Sequence, residues 1–124
     1  MKKLSVILLV LVFAGATLAG SKTTNANSVE DNLLVGLSSD NLGLKTSSAY
    51  MLGEYGTSKS VNSLLKVLKS GDTEEERISA AIALTKINTA LTRFAVKQNA
   101  KYDDSERVRK LCALFYNQSV EKNN

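Results

Sequence analysis

The ten residues EERISAAIAL at positions 75–84 are closely echoed by SERVRKLCAL at positions 105–114. Both stretches place Glu-Arg before a β-branched residue and end on Ala-Leu. An internal repeat constrains the fold strongly, because each copy must form the same element and bury its apolar stripe against a neighbouring copy. We therefore expect a chain built from a repeated structural unit of roughly 30 residues.

The apolar residues from Ser28 onwards recur at helical intervals, and the alternation typical of strands is absent. The chain contains no proline, so Gly, Asn, Asp, Ser and Thr must separate the helices. Gly56 follows one predicted helix, where a left-handed cap favours glycine. Six helices are predicted, at about 28–38, 41–55, 58–70, 73–88, 89–100 and 104–117.

Three slightly different shifts of the sequence bring these helices onto one another. The first places Leu33 on Leu64, the second places Leu52 on Leu84, and the third places Leu84 on Leu114. The capping-box pairs Thr73–Glu76 and Asp103–Glu106 recur in the same way. We predict an all-α fold of about three antiparallel helix pairs. The predicted core comprises Leu33, Leu37, Leu52, Leu64, Leu65, Leu68, Ile78, Ala81, Leu84, Val108, Leu111 and Leu114.

Within residues 47–88, small and apolar residues recur in a fixed pattern at Ala49, Leu52, Gly53, Gly56, Val61, Leu64, Leu65 and Leu68. In this pattern the segment resembles the short HEAT-like repeats related to phycocyanobilin-lyase subunits. Two departures are that Asn62 stands where the turn usually has proline, and that Thr85 replaces the glycine of the preceding unit. The resemblance spans 28–118 and implies a right-handed α-α superhelix, a HEAT-like solenoid.

The segment 1–19 has the three-part order of a secretory signal: two lysines, an apolar run and then small residues. The apolar run is shorter than the roughly 20 residues that a spanning helix needs. We expect cleavage between Ala19 and Gly20, a flexible leader at 20–27, and a secreted or periplasmic bacterial protein. Ser21 stands where a lipoprotein signal has cysteine, so no lipid anchor is expected.

Composition excludes several kinds of chemistry. The chain has no histidine, which removes imidazole catalysis and histidine metal sites. Loss of Lys2 and Lys3 with the signal lowers the formal charge from +4 to 14 − 12, or +2, and no run of basic residues remains to bind nucleic acid. We expect no catalytic, cofactor-binding or metal-binding residues.

Charged residues recur with the repeat, and in HEAT-like arrays an acidic loop residue often pairs with a basic residue of an adjacent unit. The resemblance therefore implies an inter-repeat ladder, and ligand binding by the basic side chains is the alternative. Asp103, beside Asp104, belongs to the same acidic set. The ladder candidates are Asp40, Lys45, Asp72, Arg77, Asp104 and Arg107.

The remaining reactive or aromatic residues each have a structural interpretation. Cys112 aligns with Ile82 and Tyr50 and is expected to be a buried thiol, not a nucleophile. The acidic run 74–76 suits the first turn of a helix better than a metal site. Most aromatic residues are expected in the core or at caps, whereas Phe115 and Tyr116 either cap the last unit or anchor a partner. These aromatics are Tyr50, Tyr55, Phe94, Tyr102, Phe115 and Tyr116.

The function that these observations favour is a non-catalytic module that binds a protein or peptide, with self-association as a further possibility. In such arrays the second helices line the concave side, which is the expected binding face. The alternative is an accessory subunit of an enzyme or envelope complex. Residues 119–124 are predicted to form a C-terminal tail.

Overall fold

The computed structural model describes residues 28–124. By contacts the chain divides into two segments, Met1–Asp31 and Asn32–Asn124. A helix at 28–37, α1, crosses this division, and residues 28–31 are the described part of the first segment. Below, a unit means one helix pair of the repeat. The predicted signal, its cleavage site and the leader lie outside the described residues.

The described residues form helices and contain no strand, as the periodicity predicts. Their fold is all-α. After α1 come α2 (Leu42–Leu52), α3 (Ser58–Ser70), α4 (Glu74–Ile87), α5 (Ala90–Tyr102) and α6 (Glu106–Glu121).

A polar side chain begins each helix from α2 onwards. Its oxygen accepts a hydrogen bond from the backbone N–H three positions later, which satisfies one of the free donors of the first turn. These N-cap residues are evenly spaced along the chain, so each has an equivalent two helices further on. We call this constant step in residue number the cap interval. It leads from Asn41 to Thr73 and on to Ser105, and from Thr57 to Thr89. The N-caps are Asn41, Thr57, Thr73, Thr89 and Ser105.

Burial follows the same cap interval. Ser48, Ala49 and Leu52 of α2 are buried, and so are their equivalents in α4, which are Ala80, Ala81 and Leu84. In the other set of helices, Ser60 of α3 and Thr92 of α5 are both fully buried at the third helical position, where each contacts the side chain of the N-cap threonine. Within each set of helices, buried positions one cap interval apart are therefore occupied by residues of similar size.

The helices pack in two layers around α4. One layer contains α2, α4 and α6, because α4 packs against both of the others, and the second layer contains α3 and α5, which contact each other. The connections 71–73 and 103–105 are short, so the packed pairs α3–α4 and α5–α6 are antiparallel hairpins. We call α2, α4 and α6 the second helices and α1, α3 and α5 the first helices.

The core lies between the two layers. Of the predicted core residues, seven are buried and four more, Leu33, Leu65, Ile78 and Leu111, are partly buried. The seven are Leu37, Leu52, Leu64, Leu68, Ala81, Leu84 and Val108.

The prediction for Leu114 is wrong, because this side chain is 50% exposed. The cause is the alignment of α6. Helix α6 is capped by Ser105 and not by Asp103, so Ser105 is the residue equivalent to Thr73 of α4. In this alignment Leu84 is equivalent to Tyr116, and Leu114 is equivalent to Ile82 on the outer face of α4.

Three predicted boundaries also differ. Helix α2 ends at Leu52 and not at residue 55, because a turn leads to Gly56, whose φ is 63° and lies in the left-handed region that glycine favours. Helix α5 continues to Tyr102, so the predicted end at residue 100 is too early. The predicted tail begins too early, because α6 extends to Glu121 and buries Ser119.

Candidate functional site

A bidentate ion pair joins α4 to the α5–α6 connection. Arg77 Nε donates to Asp103 Oδ2 at 2.9 Å, and Arg77 Nη2 donates to Asp103 Oδ1 at 3.2 Å. The carboxylate also accepts hydrogen bonds from Asn99 and from the backbone N–H of Ser105. The hydrogen bonds to Asp103 raise the pKa of Arg77 above its ordinary value, so the guanidinium remains charged. Asp104 was the ladder candidate, with Asp103 in the same acidic set, and Asp103 is the one that pairs with Arg77.

The second helices are linked by further ion pairs. Lys45 of α2 pairs with Glu76 of α4 at 3.2 Å, and Glu76 is buried. Arg107 of α6 pairs with Glu74 and Glu75 of α4 at 3.1 and 3.2 Å. These contacts connect neighbouring units at the predicted basic positions.

Three predicted ladder residues do not take part. Asp40, Asp72 and Asp104 make no ion pair within residues 28–124. Asp72 contributes its backbone N–H, which donates to Glu76 at 3.0 Å. The acidic partners come instead from the first turn of α4 and from Asp103, where the aligned helix ends bring them within reach of a neighbouring helix pair.

The acidic run 74–76 is placed as the first turn of α4. Hydrogen bonds from Ser105 and Arg107 hold the pKa of Glu74 below its ordinary value. Glu76 points toward α2, whereas Glu74 and Glu75 point toward α6. No group of three or more Cys, Asp and Glu residues within 28–124 is placed to hold a metal ion.

Cys112 lies in the core of the described domain with no exposed surface. Burial, with the nearby charge of Asp103 as a lesser cause, raises the pKa of its thiol to about 12. Its equivalents at the cap interval are Ser48 and Ala80, which are also buried, and not Tyr50 and Ile82 as the sequence alignment indicated. A neutral, buried thiol is a poor nucleophile.

The outer surface of the second helices carries a row of apolar side chains. Tyr50, Ile82 and Leu114 stand at the ninth position of α2, α4 and α6, respectively. Tyr50 is 52% and Leu114 is 50% exposed, while Ile82 between them is half-buried. The three helices lie side by side with α4 in the middle, so these residues form one row across the layer. We call this surface, defined by Tyr50, Ile82 and Leu114, the second-helix face.

A shallow cavity of about 370 Å³ opens beside this row. Lys86 lies with its Nζ 4.8 Å from the centre of the Tyr50 ring, a cation–π contact, and also pairs with Glu54. The Tyr50 wall of the cavity is therefore held by a neighbouring side chain. The cavity is lined by Tyr50, Ile82, Thr85, Lys86, Phe115, Gln118, Ser119 and Lys122.

A larger cavity of about 620 Å³ lies between the first helices α3 and α5. Phe94 is 59% and Tyr102 is 75% exposed at its sides. Its base includes Asn99, which donates to the carbonyl of Leu68, and the Arg77–Asp103 pair. The polar groups of this base already bond one another, which leaves few of them to recognise a ligand.

The aromatic residues differ in part from the expectation. Phe115 and Tyr116 pack partly against the core. Tyr50, Phe94 and Tyr102 are largely exposed, so the expectation that most aromatics occupy the core or caps does not place these three in the core. Tyr55 is exposed as well, although less so. The even spacing of the caps was the sequence signal that could have identified Tyr50, Ile82 and Leu114 as one row.

Comparison with protein-family models finds no family that matches the chain, and comparison with curated proteins finds no similar sequence. Within residues 28–124 no helix is both long and apolar enough to span a membrane. The second-helix face therefore has to be interpreted from its own residues. It offers apolar contact area with charged side chains at its border, a composition suited to binding a protein segment.

Proposed function

We propose that this chain is a non-catalytic HEAT-like module that binds a protein or peptide segment on its second-helix face. The observation that carries the proposal is the row of Tyr50, Ile82 and Leu114 at one position of three consecutive second helices. Scattered single apolar residues are ordinary on protein surfaces, but an aligned row that crosses three elements is a continuous contact surface.

The repeat supports the proposed superhelix. Each unit contributes one first helix and one second helix, and each contacts mainly its neighbours. In solenoids of this type, a small rotation from unit to unit curves the array and makes the second-helix layer concave. The right-handed superhelix and the kinship with HEAT-like repeats are part of this proposal.

The geometry of the row indicates the form of the bound segment. Packed helices lie about 8–10 Å apart, so neighbouring members of the row are separated by roughly that distance. A segment in the polyproline II conformation advances about 9 Å in each turn, and every third side chain faces the same way. We therefore propose a partner segment with an apolar side chain at every third position, which would contact Leu114, Ile82 and Tyr50 in turn.

The proposed location is the periplasm or the cell exterior, and its support is the signal-like sequence of the segment 1–19. The partner would then be another exported protein or a peptide in that compartment.

Site-specific photo-crosslinking in the producing cells tests the binding function. A photoreactive residue at Tyr50 and, separately, at Leu114 is expected to capture the same partner. The control is Lys66, an exposed residue of α3 on the other layer, which should not capture it. With the partner identified, Ile82→Asp should weaken its binding roughly 30-fold, the effect typical of a central contact, and Lys66→Glu should leave it unchanged. Capture that is equal from Lys66, or different partners at the two ends of the row, would contradict the proposal.

A further inference from the structure

The two ends of the array differ in the chemistry of their exposed edges. In the interior, each unit presents a surface that packs against the preceding unit. On this surface Glu76 pairs with Lys45 of α2, and Ala83 lies so close to Gly53 that a Cβ added to this glycine would be 3.0 Å from the Ala83 Cα. In the first-helix layer, Val67 of α3 faces Leu34 and Leu37 of α1 across a small cavity.

The same positions in the first unit are apolar and exposed. Leu44 is equivalent to Glu76 and is 52% exposed, and Met51 is equivalent to Ala83 and is 49% exposed. We call this surface, defined by Leu44 and Met51, the N-terminal edge.

Leu44 and Met51 lie about two helical turns apart on one face of α2, which borders α1. A Cβ at Gly36, beside Val35, would lie 3.6 Å from Leu44 Cδ1, so the Leu44 side chain reaches α1. The equivalents of Leu44 and Met51 in α6 are Val108, which is fully buried, and Phe115, which packs against the core. The N-terminal edge is thus a surface of the type that the interior units use for stacking.

The opposite edge is polar. Lys97 of α5 is equivalent to Leu65 of α3, and Arg109 of α6 is equivalent to Arg77 of α4. Lys97 extends over the Tyr116 ring, with Nζ 5.4 Å from its centre, and Arg109 bonds to the carbonyls of Asp103 and Asp104. Cationic side chains therefore cover the last unit, as expected of a solenoid end that faces water.

We infer that the N-terminal edge binds the same edge of a second copy, and that the chain forms a two-fold dimer. The edge continues the stacking surface of the interior units, so its natural occupant is another helix layer of this kind. Head-to-tail stacking would place Leu44 and Met51 against the cationic edge, whose charges would lose water without gaining a polar partner from either apolar side chain. The isologous arrangement instead buries apolar side chains on both partners and closes after two copies.

The mass of the purified chain in solution tests the dimer, measured by sedimentation over micromolar to submillimolar concentrations. The wild-type chain should approach twice its own mass. Leu44→Glu and Met51→Glu should each weaken association roughly 30-fold, as charges do at the centre of an apolar interface. Leu114→Glu is the matched control, because Leu114 is equally exposed but lies on the second-helix face.

A second measurement does not depend on how well the charged variants fold. Leu44→Cys and Met51→Cys introduce thiols at the edge, while the native Cys112 is buried. A short bismaleimide should link two copies through at least one of these positions and not through Leu114→Cys. A monomer at every concentration, open-ended polymers, or linking through Leu114→Cys alone would overturn the dimer. Partner capture by the second-helix face is a separate readout, so either proposal can fail alone.

Discussion

Replacing Asp103 with alanine is the perturbation whose cost the structure defines best. Its carboxylate accepts four hydrogen bonds: two from Arg77, one from Asn99 at 3.2 Å and one from the Ser105 N–H at 2.9 Å. Its side chain is only 5% exposed, and that of Arg77 is 15% exposed. Asp103→Ala would therefore leave a nearly buried guanidinium without its counterion.

Breaking a buried ion pair by removing one partner costs about 3–5 kcal/mol. Arg77 would keep its hydrogen bond to the Gly71 carbonyl and some access to water, so we expect about 3 kcal/mol, the low end of that range. For a domain of this size, this loss corresponds to a decrease in Tm of roughly 15 °C. Thermal and urea unfolding, followed by circular dichroism, measure both quantities.

The neighbouring carboxylate provides the control. Asp104 is exposed and makes no ion pair among the described residues, so Asp104→Ala should change the free energy of unfolding by less than about 0.5 kcal/mol. If Asp103→Ala cost as little as Asp104→Ala, the Arg77–Asp103 link would not join the units as described. A larger loss for Asp104→Ala would refute the assignment outright.

Two further outcomes follow from the packing of the core. Gly53→Ala would bring a Cβ within about 3.0 Å of Ala83 Cα, so it should lower the free energy of unfolding in urea by about 1–3 kcal/mol. The control is Gly43→Ala, whose nearest contact would be 3.4 Å and which should be neutral or stabilising. Equal effects of the two variants would contradict the close approach of α2 to α4. The pKa of the Cys112 thiol is raised from 9.0 to about 12 by folding, so the unfolded chain loses the thiol proton first as the pH rises. The free energy of unfolding is therefore retained below about pH 9 and falls as the pH rises toward 12, by about 2 kcal/mol at pH 10.5. Cys112→Ala should remove this part of the alkaline loss, and an unchanged slope would show that the thiol is not buried.

The amino-acid sequence was sufficient to predict the class of fold and most of the core. Helical spacing identified six helices, and Leu52, Leu64, Leu68 and Leu84 lie in the core as that spacing predicts. These residues are predictable because helical periodicity depends on local geometry.

The alignment of the last unit could not be obtained in the same way. Asp103 and Ser105 are both good N-cap residues, and the match of EERISAAIAL with SERVRKLCAL favoured the wrong one. In the structure Ser105 caps α6, while Asp103 accepts the Ser105 N–H and binds Arg77. Moving the cap from Asp103 to Ser105 rotates the alignment of α6 by about half a turn, which is why Leu114 was assigned to the core.

The candidate site depends on that rotation. When Leu84 is aligned with Leu114, Tyr50 and Ile82 match the buried Cys112, so their row on the surface could not be recognised. The choice between Asp103 and Asp104 was equally undetermined, because adjacent carboxylates differ in direction and not in chemistry. Tertiary contacts, not local propensity, determine which residue caps α6 and which of the two carboxylates binds Arg77.

The uniform cap interval is the central claim, and the reactivity of introduced thiols tests it most directly. The native Cys112 is buried and provides a slow background. Leu114→Cys should react with an alkylating reagent nearly as fast as an unfolded thiol, while Leu84→Cys should be protected in the native state. If Leu114→Cys were protected as strongly as Leu84→Cys, these two positions would be equivalent after all, and the second-helix face would not exist.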